Sequence, residues 1–172
     1  VDTPALKVVV DKKTGHVTRI YDKRRKTEVL GKDAKGNSLV IYMEKPHGMS
    51  AWNIGEASSV ITLDKPHMVR VIEHGPVRAT IEVWHKWSRS TFVQKIHVYR
   101  DLPRVDFELE AHWFELGGPD WDSPMLRVAF PLNVKDGKFV CDTPFAAVER
   151  PVNGQEVPAQ KWVDLSNSEG GA

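Results

Sequence analysis

Three acidic side chains alternate along one segment of the chain, and their type and spacing could support acid–base chemistry. Asp106, Glu108 and Glu110 are each separated by a single residue. On an extended strand, residues two positions apart lie roughly 6.6 Å apart on one face, and glycoside hydrolysis uses two carboxylates roughly 5–10 Å apart. The spacing is therefore compatible with a complete small hydrolase that uses Asp106 and Glu110.

The same acids have a second explanation in the chemistry of β-sheets. Lys95 and His97 lie on the polar face of the preceding predicted strand, and opposite charges commonly pair across neighbouring strands. Alternation of polar and apolar residues by itself predicts acids at these positions. We therefore favour charge pairing over catalysis for this segment.

Two tryptophans and an adjacent Glu–Arg pair are the candidate binding residues. Trp52 and Trp121 stand in loop-like segments with polar neighbours, where an indole can pack against the CH face of a sugar or simply anchor its loop. Glu149 and Arg150 precede Pro151 and could clamp a substrate, or pair with each other and fix the corner before the proline. Trp52, Trp121, Glu149 and Arg150 are therefore the candidate substrate-binding residues, whereas packing of the two indoles and a corner-fixing Glu149–Arg150 ion pair are the simpler explanations.

The sequence supports a metal site or a nucleophile less well than it supports the candidate binding residues. None of the seven histidines has the His-x-His or His-x-x-x-His spacing of a zinc site. The single cysteine, Cys141, excludes an internal disulfide and is better explained as a buried strand thiol than as a nucleophile. The sequence has no nucleophile elbow and no phosphate-binding glycine loop. We predict neither a metal site nor a catalytic residue within these residues.

The segments that position these side chains have the periodicity of β-strands. Between residues 76 and 115, three long segments alternate apolar and polar residues and are separated by turns at 87–90 and 101–103, which predicts an antiparallel meander with one apolar face. The stretch 22–36 is highly charged and predicted to be a loop, and no segment has a convincing helical pattern. The fold class is therefore predicted to be an all-β antiparallel sandwich. Further strands are predicted over 6–10, 16–21, 38–43, 60–63, 69–72, 125–131, 138–142, 145–149 and 162–165.

Composition excludes several classes of protein. The 172 residues are 41% hydrophobic and 27% charged, which allows a packed core. With 24 basic and 23 acidic residues, the chain has no net field to attract nucleic acid. No apolar run approaches the length of a membrane span. The chain begins without Met or a signal-like segment, so we expect a piece of a longer polypeptide, and cysteine usage favours a reducing, cytoplasmic location.

Short motifs along nearly the whole chain resemble glycoside hydrolase family 38, the α-mannosidases, and most closely its bacterial-type members. Each motif alone is weak, whereas their ordered combination is more specific. Two positions depart from the family pattern: Ser50 and Asn53 replace the acidic neighbours usual around Trp52, and Ala146 replaces a glycine, which suggests that no positive φ is needed there. The matching segments are 8–15, 19–23, 36–39, 44–46, 51–54, 75–79, 99–107, 126–131 and 144–165.

This resemblance implies a galactose mutarotase-like supersandwich from the C-terminal β-sandwich region of a retaining enzyme. In that family a zinc ion, an aspartate nucleophile and an acid/base carboxylate belong to an N-terminal barrel-like domain, which a helical bundle follows. None of the corresponding motifs matches this chain. Residues 1–172 are therefore expected to form a single, truncated sandwich fragment that is inactive alone, with zinc in the catalytic domain of the parent enzyme.

Three functional hypotheses follow. In the leading one, the chain supports the catalytic and helical domains of the same polypeptide and lines one side of a cleft that binds a mannose-containing glycan. The alternative is an autonomous carbohydrate-binding module, and the third is the small hydrolase based on Asp106 and Glu110. A truncated sandwich could also expose an apolar face or a strand edge and self-associate.

Overall fold

The computed structural model describes residues 1–50, 52–168 and 170–171. Every regular element in this part of the chain is a β-strand, and all the strand pairs are antiparallel. The all-β prediction is confirmed. The strands are β1 (Leu6–Val10), β2 (Val17–Asp22), β3 (Thr27–Glu28), β4 (Ser38–Glu44), β5 (Ala57–Thr62), β6 (Met68–His74), β7 (Arg78–Trp87), β8 (Ser90–Tyr99), β9 (Val105–His112), β10 (Ser123–Ala129), β11 (Lys138–Thr143), β12 (Ala146–Arg150), β13 (Val163–Asn167) and β14 (Gly170–Gly171).

The three strands of the predicted meander are β7, β8 and β9, and β6 pairs with β7 to complete a sheet in the order β6-β7-β8-β9, which we call the meander. Its two central strands are ten residues long and pair from Arg78 opposite Tyr99 to Trp87 opposite Ser90. The turn between them is closed by Ser88, which has a φ of 52°. Because side chains alternate along each strand, the sheet has one apolar and one charged face, as the period-two pattern predicted.

Two smaller sheets cover the apolar face of the meander. The sheet β1-β2-β3 contributes Val8 and Val17 to a core that contains Ile96 of β8. The sheet β10-β4-β5 contributes Leu39 and Ile41 to a second core cluster, which contains Phe92 of β8. The two sheets therefore pack against different parts of the same face, which gives the predicted antiparallel sandwich.

The β1–β2 hairpin shows how local sequence determines an element of this fold. The Asp11 N–H donates to the His16 carbonyl over 2.9 Å, and the Gly15 N–H donates to the Asp11 carbonyl over 2.7 Å. Gly15 has a φ of 75°, a conformation that side chains disfavour. A Cβ atom at Gly15 would also lie 2.5 Å from Val83 Cγ1, so glycine allows the turn to approach the meander closely.

A fourth sheet, in the order β12-β11-β13-β14, contains the last part of the chain. Cys141 is fully buried in its strand β11, which confirms the prediction of a buried thiol. The corner before β12 places its positive φ, 68°, on Phe145. Ala146 has no positive φ, as the departure from the family pattern suggested.

Candidate functional site

Two loops lie at the same end of the β10-β4-β5 sheet. Glu44, the last residue of β4, pairs with Ala57 at the start of β5 and with Ser123 at the start of β10. The loop that connects β4 to β5 and the loop that leads into β10 must therefore leave the sheet at one end. The Ser58 hydroxyl donates a hydrogen bond to the Asp122 carboxylate and links the two segments. We refer to loops 45–56 and 113–122 together as the loop end.

Both predicted sugar-contacting tryptophans belong to the loop end. Trp52 is 79% exposed and Trp121 is 57% exposed. Exposed apolar side chains gathered at one end of a sheet can mark a ligand site or an interface, so the loop end is the candidate functional site. Its exposed large apolar side chains are Met49, Trp52, Ile54, Phe114, Leu116 and Trp121.

A buried carboxylate anchors the first loop. The side chain of Glu44 is only 3% exposed. It accepts a hydrogen bond from the Gly55 N–H, and its Oε1 atom lies 2.9 Å from His47 Nε2. These contacts, led by the Gly55 N–H and followed by His47, hold the pKa of Glu44 below its usual value. The carboxylate is therefore ionised at neutral pH and joins both arms of the loop.

Hydrogen bonds within the loop then shape the turn at Trp52. The N–H groups of Trp52 and Asn53 both donate to the Met49 carbonyl, over 2.8 and 3.0 Å. At the base of the loop, the Lys45 N–H donates to the Glu56 carbonyl over 2.9 Å. Sequence reasoning identified Trp52 but missed Glu44. The available signal was a Glu at a strand end with a His three residues later, which resembles many ordinary polar loops.

The other two predicted binding residues lie on the fourth sheet. Glu149 pairs with Lys138 over 3.3 Å, whereas Arg150 stands opposite Phe139 and has a buried Nε atom. The local Glu149–Arg150 ion pair considered from the sequence does not form, because adjacent residues of a strand point to opposite faces. Within the described chain, neither side chain shares a hydrogen bond or ion pair with the loop end. Their role in substrate binding stays a prediction.

The alternating acids form ion pairs on the charged face of the meander. Lys95 Nζ lies 2.8 Å from Glu108 Oε1, and the Tyr99 hydroxyl donates to Asp106 over 2.7 Å. The hydrogen bond from Lys95 lowers the pKa of Glu108, and the hydrogen bond from Arg104 lowers that of Asp106. The prediction of cross-strand charge pairing is confirmed for Glu108, whereas Asp106 and Glu110 form ion pairs with Arg104 and His112 on their own segment. Acids held ionised in this way are poor general acids, which must carry a proton near neutral pH.

Two histidines are buried between the meander and the smaller sheets. His16 Nε2 lies 3.2 Å from the Leu63 carbonyl oxygen and 3.3 Å from Ser38 Oγ. His85 has a buried Nδ1 atom without a hydrogen-bond partner, and burial is the main cause that lowers its pKa to about 4. Both rings are core histidines by position. In the described ranges, no group of three or more His, Cys, Asp or Glu side chains is arranged to hold a metal ion.

The sequence of this chain is similar to those of known glycosyl hydrolases. A family model described as the glycosyl hydrolases family 38 C-terminal domain matches residues 1–172. An α-mannosidase of Saccharomyces cerevisiae is 27% identical over 157 residues, which cover 86% of this chain and 14% of that relative. The chain thus spans only 14% of the length of the curated relative that it matches. Among the described residues, no helix is long and apolar enough to cross a membrane.

Proposed function

This chain belongs to the glycosyl hydrolases family 38 C-terminal domain family, and we propose that it serves as a non-catalytic sandwich domain of an α-mannosidase. In this proposal it supports the catalytic domain of the same polypeptide, and its loop end lines one side of the cleft that binds an α-mannoside. We assign the zinc ion, the nucleophile and the acid/base carboxylate of the reaction to that catalytic domain.

The observation that carries the proposal is the shared position of Trp52 and Trp121. Their two loops leave one end of the same sheet, and both indoles are largely exposed. An indole offers a flat apolar face with an N–H donor at its edge, which suits a sugar ring that has both CH and hydroxyl groups. Two such side chains at one end can contact one glycan.

The electrostatics of the meander support a non-catalytic role. Glycoside hydrolysis requires one carboxyl group that carries a proton and one that is ionised. Asp106 and Glu108 both have lowered pKa values because of their cationic partners. The environment of these two acids therefore does not separate their protonation states, as an acid–nucleophile pair would require. Glu110, the second acid of the small-hydrolase hypothesis, is paired with His112 over 2.9 Å on its own segment.

The proposal is tested in the α-mannosidase polypeptide that carries this domain. Replacing Trp52 or Trp121 with alanine should raise KM for a nitrophenyl mannoside about five- to tenfold, since a lost stacking contact costs about 1–1.4 kcal/mol. The value of kcat should change little, because the contact is made in ground and transition states alike. Trp162→Ala is the control, since this partly exposed residue precedes β13 in another sheet. Unchanged KM in both loop-end variants would refute the proposal.

The alternative function, an autonomous carbohydrate-binding module, uses the same tryptophans. It predicts that the 172-residue chain alone binds mannosides in isothermal titration calorimetry and that Trp52→Ala removes this binding. A domain that only lines a shared cleft predicts a KM effect in the larger polypeptide and no measurable binding by the isolated chain. The two measurements therefore distinguish the two functions.

A further inference from the structure

We propose that Glu44 is a positioning residue, whose buried carboxylate holds loop 45–56 in the shape that presents Trp52 to the sugar. The sugar contact rests on the proposed function, whereas the anchoring of the loop rests on the contacts of Glu44 alone. Neither role follows from the resemblance to the family.

Two hydrogen-bond donors converge on the Glu44 carboxylate: the Gly55 N–H and the His47 ring. The His47 ring is also within 3.3 Å of the Ser50 hydroxyl. A buried charge is strongly unfavourable unless such partners compensate it. Glu44 and its donors therefore form a unit in which each member depends on the others.

The positions of the donors along the chain explain why this unit controls the loop. His47 lies on the outgoing arm, with the Ser50 hydroxyl beside its ring, and Gly55 lies on the returning arm, two residues before β5 begins. Glu44 itself ends β4 and is held in the sheet by its pairs with Ala57 and Ser123. One carboxylate thus joins both arms of the loop to the rigid sheet.

Gly55 is closely fitted to this arrangement. A Cβ atom at this position would lie 2.5 Å from His47 Cδ2 and 3.3 Å from Glu44 Oε1. The His47 ring would have to leave its place beside Glu44 to accommodate a larger residue. The close approach of the returning backbone therefore depends on the absence of a side chain at residue 55.

Trp52 depends on this anchor because it has few contacts of its own. Its side chain is 79% exposed, so packing does little to orient the indole. Its backbone N–H, however, bonds to the Met49 carbonyl inside the anchored loop. The backbone of loop 45–56 therefore sets where the Trp52 side chain leaves the loop, and the contacts of Glu44 hold that backbone in place.

The first test measures the loop in the 172-residue chain, without any sugar. Amide hydrogen exchange at Gly55 should become at least tenfold faster in Glu44→Ala, because the N–H loses its acceptor and the loop opens more often. Glu44→Gln keeps a side-chain carbonyl for the Gly55 N–H and should show a smaller increase. Glu56→Ala is the matched control, since this exposed carboxylate lies on the same loop and pairs with Lys45. Unchanged exchange in Glu44→Ala would overturn the anchoring role, whatever the sugar data show.

The second test measures KM in the α-mannosidase polypeptide that carries the domain. Glu44→Ala should raise KM about as much as Trp52→Ala, and the double variant should add little further, as expected for two residues that act through one contact. Glu28→Ala, which removes a carboxylate from the separate β1-β2-β3 sheet, should leave KM unchanged. Additive effects of Glu44→Ala and Trp52→Ala, or no effect of Glu44→Ala beside a clear effect of Trp52→Ala, would overturn the positioning role and leave the proposed function intact.

A third outcome concerns the proposed function instead. Trp52→Ala could leave KM unchanged while amide exchange at Gly55 becomes faster in Glu44→Ala. In that case the proposed contact between Trp52 and the sugar is wrong. The proposal that Glu44 positions Trp52 for the sugar is then overturned as well. Should Glu44→Ala fail to fold, Gly55→Ala provides the same test, because its Cβ displaces His47 and leaves the carboxylate in place. That variant should again speed exchange in the loop and raise KM, and normal values of both would overturn the inference.

Discussion

The buried imidazole of His85 predicts how the stability of this sandwich depends on pH. The residue lies on the core side of β7 and is 3% exposed. A Cβ atom at Gly15 of the β1–β2 turn would lie 3.3 Å from its Nε2 atom. Burial is the largest cause that lowers its pKa from 6.5 to about 4, and the neighbouring His16 lowers it further. His67 acts in the same direction, whereas Asp64 acts against it.

The direction of the effect follows from the difference between the folded and unfolded chains. In the unfolded chain the ring gains a proton near pH 6.5, whereas in the folded chain it gains one only near pH 4. As pH falls between these values, the unfolded state binds more protons, so the free energy of unfolding decreases. At 1.36 kcal/mol per pH unit the full effect is about 3 kcal/mol. Between about pH 7.5 and about pH 4.5 it amounts to about 2.5 kcal/mol.

The assay compares urea unfolding of the parent chain and of His85→Leu at these two pH values. The leucine variant cannot be protonated, so it should lose about 2.5 kcal/mol less stability on acidification than the parent chain does. Leucine also removes the Nδ1 atom that lacks a partner. His74→Leu, at an exposed position of β6, should follow the parent chain. Equal losses in His85→Leu and the parent chain would refute the assignment of this pH dependence to His85.

Two further predictions concern the core and the hairpin turn. Phe92→Ala should lower the free energy of unfolding by about 3–5 kcal/mol, because Phe92 is fully buried. Phe145 is fully exposed, so Phe145→Ala should change this free energy little. Equal effects of the two variants in urea unfolding would contradict the assignment of Phe92 to the core. Gly15→Ala should destabilise the chain more than Gly154→Ala in the same assay. Both glycines have positive φ, so each alanine should cost about 1–2 kcal/mol of backbone strain. Only at Gly15 would the new Cβ also overlap Val83. Equal losses would show that the turn can move away from the meander.

The sequence predicted the meander well because period-two alternation and sheet geometry impose the same constraint. Lys95 lies opposite Glu108 and His97 lies opposite Asp106, so the polar face consists of the residues that alternation places there. The two-residue strand β3 was missed inside the predicted loop 22–36, since a strand this short shows no period. The first residues of β5 were also missed, because Ala57-Ser-Ser59 has no apolar alternation.

The loop end could be predicted only in part. Trp52 and Trp121 were identified individually from their polar loop contexts. Their shared location depends on β10 pairing with β4, a contact between distant segments that no local pattern encodes. Glu44 was missed because its burial results from the folded loop. The local ion pair between Glu149 and Arg150 that the sequence suggested does not form. Strand β12 continues through both residues and places their side chains on opposite faces.

The proposed self-association of a sandwich fragment stays a prediction, and the charges of β9 argue against its simplest route. This strand is an edge of the meander and has one partner, β8, in the described part of the chain. If two copies paired antiparallel through β9 about Leu109, Glu108 of one copy would lie opposite Glu110 of the other. Like charges directly opposite each other destabilise a sheet, and charged edges commonly prevent such pairing.

The contacts of loop 45–56 indicate that its shape has a function and that it does more than connect β4 to β5. The exposed Lys45–Glu56 pair closes the base of the loop, and pairs of this kind contribute little to stability. A buried carboxylate is a different choice, because removing its charge from water is costly and the cost is recovered only when every donor is correctly placed. Glu44 therefore permits few loop geometries, and the geometry that it permits leaves Trp52 exposed. A loop that only had to connect two strands could do so with apolar contacts that bury Trp52, and that alternative would lower the exposed apolar area of the loop end.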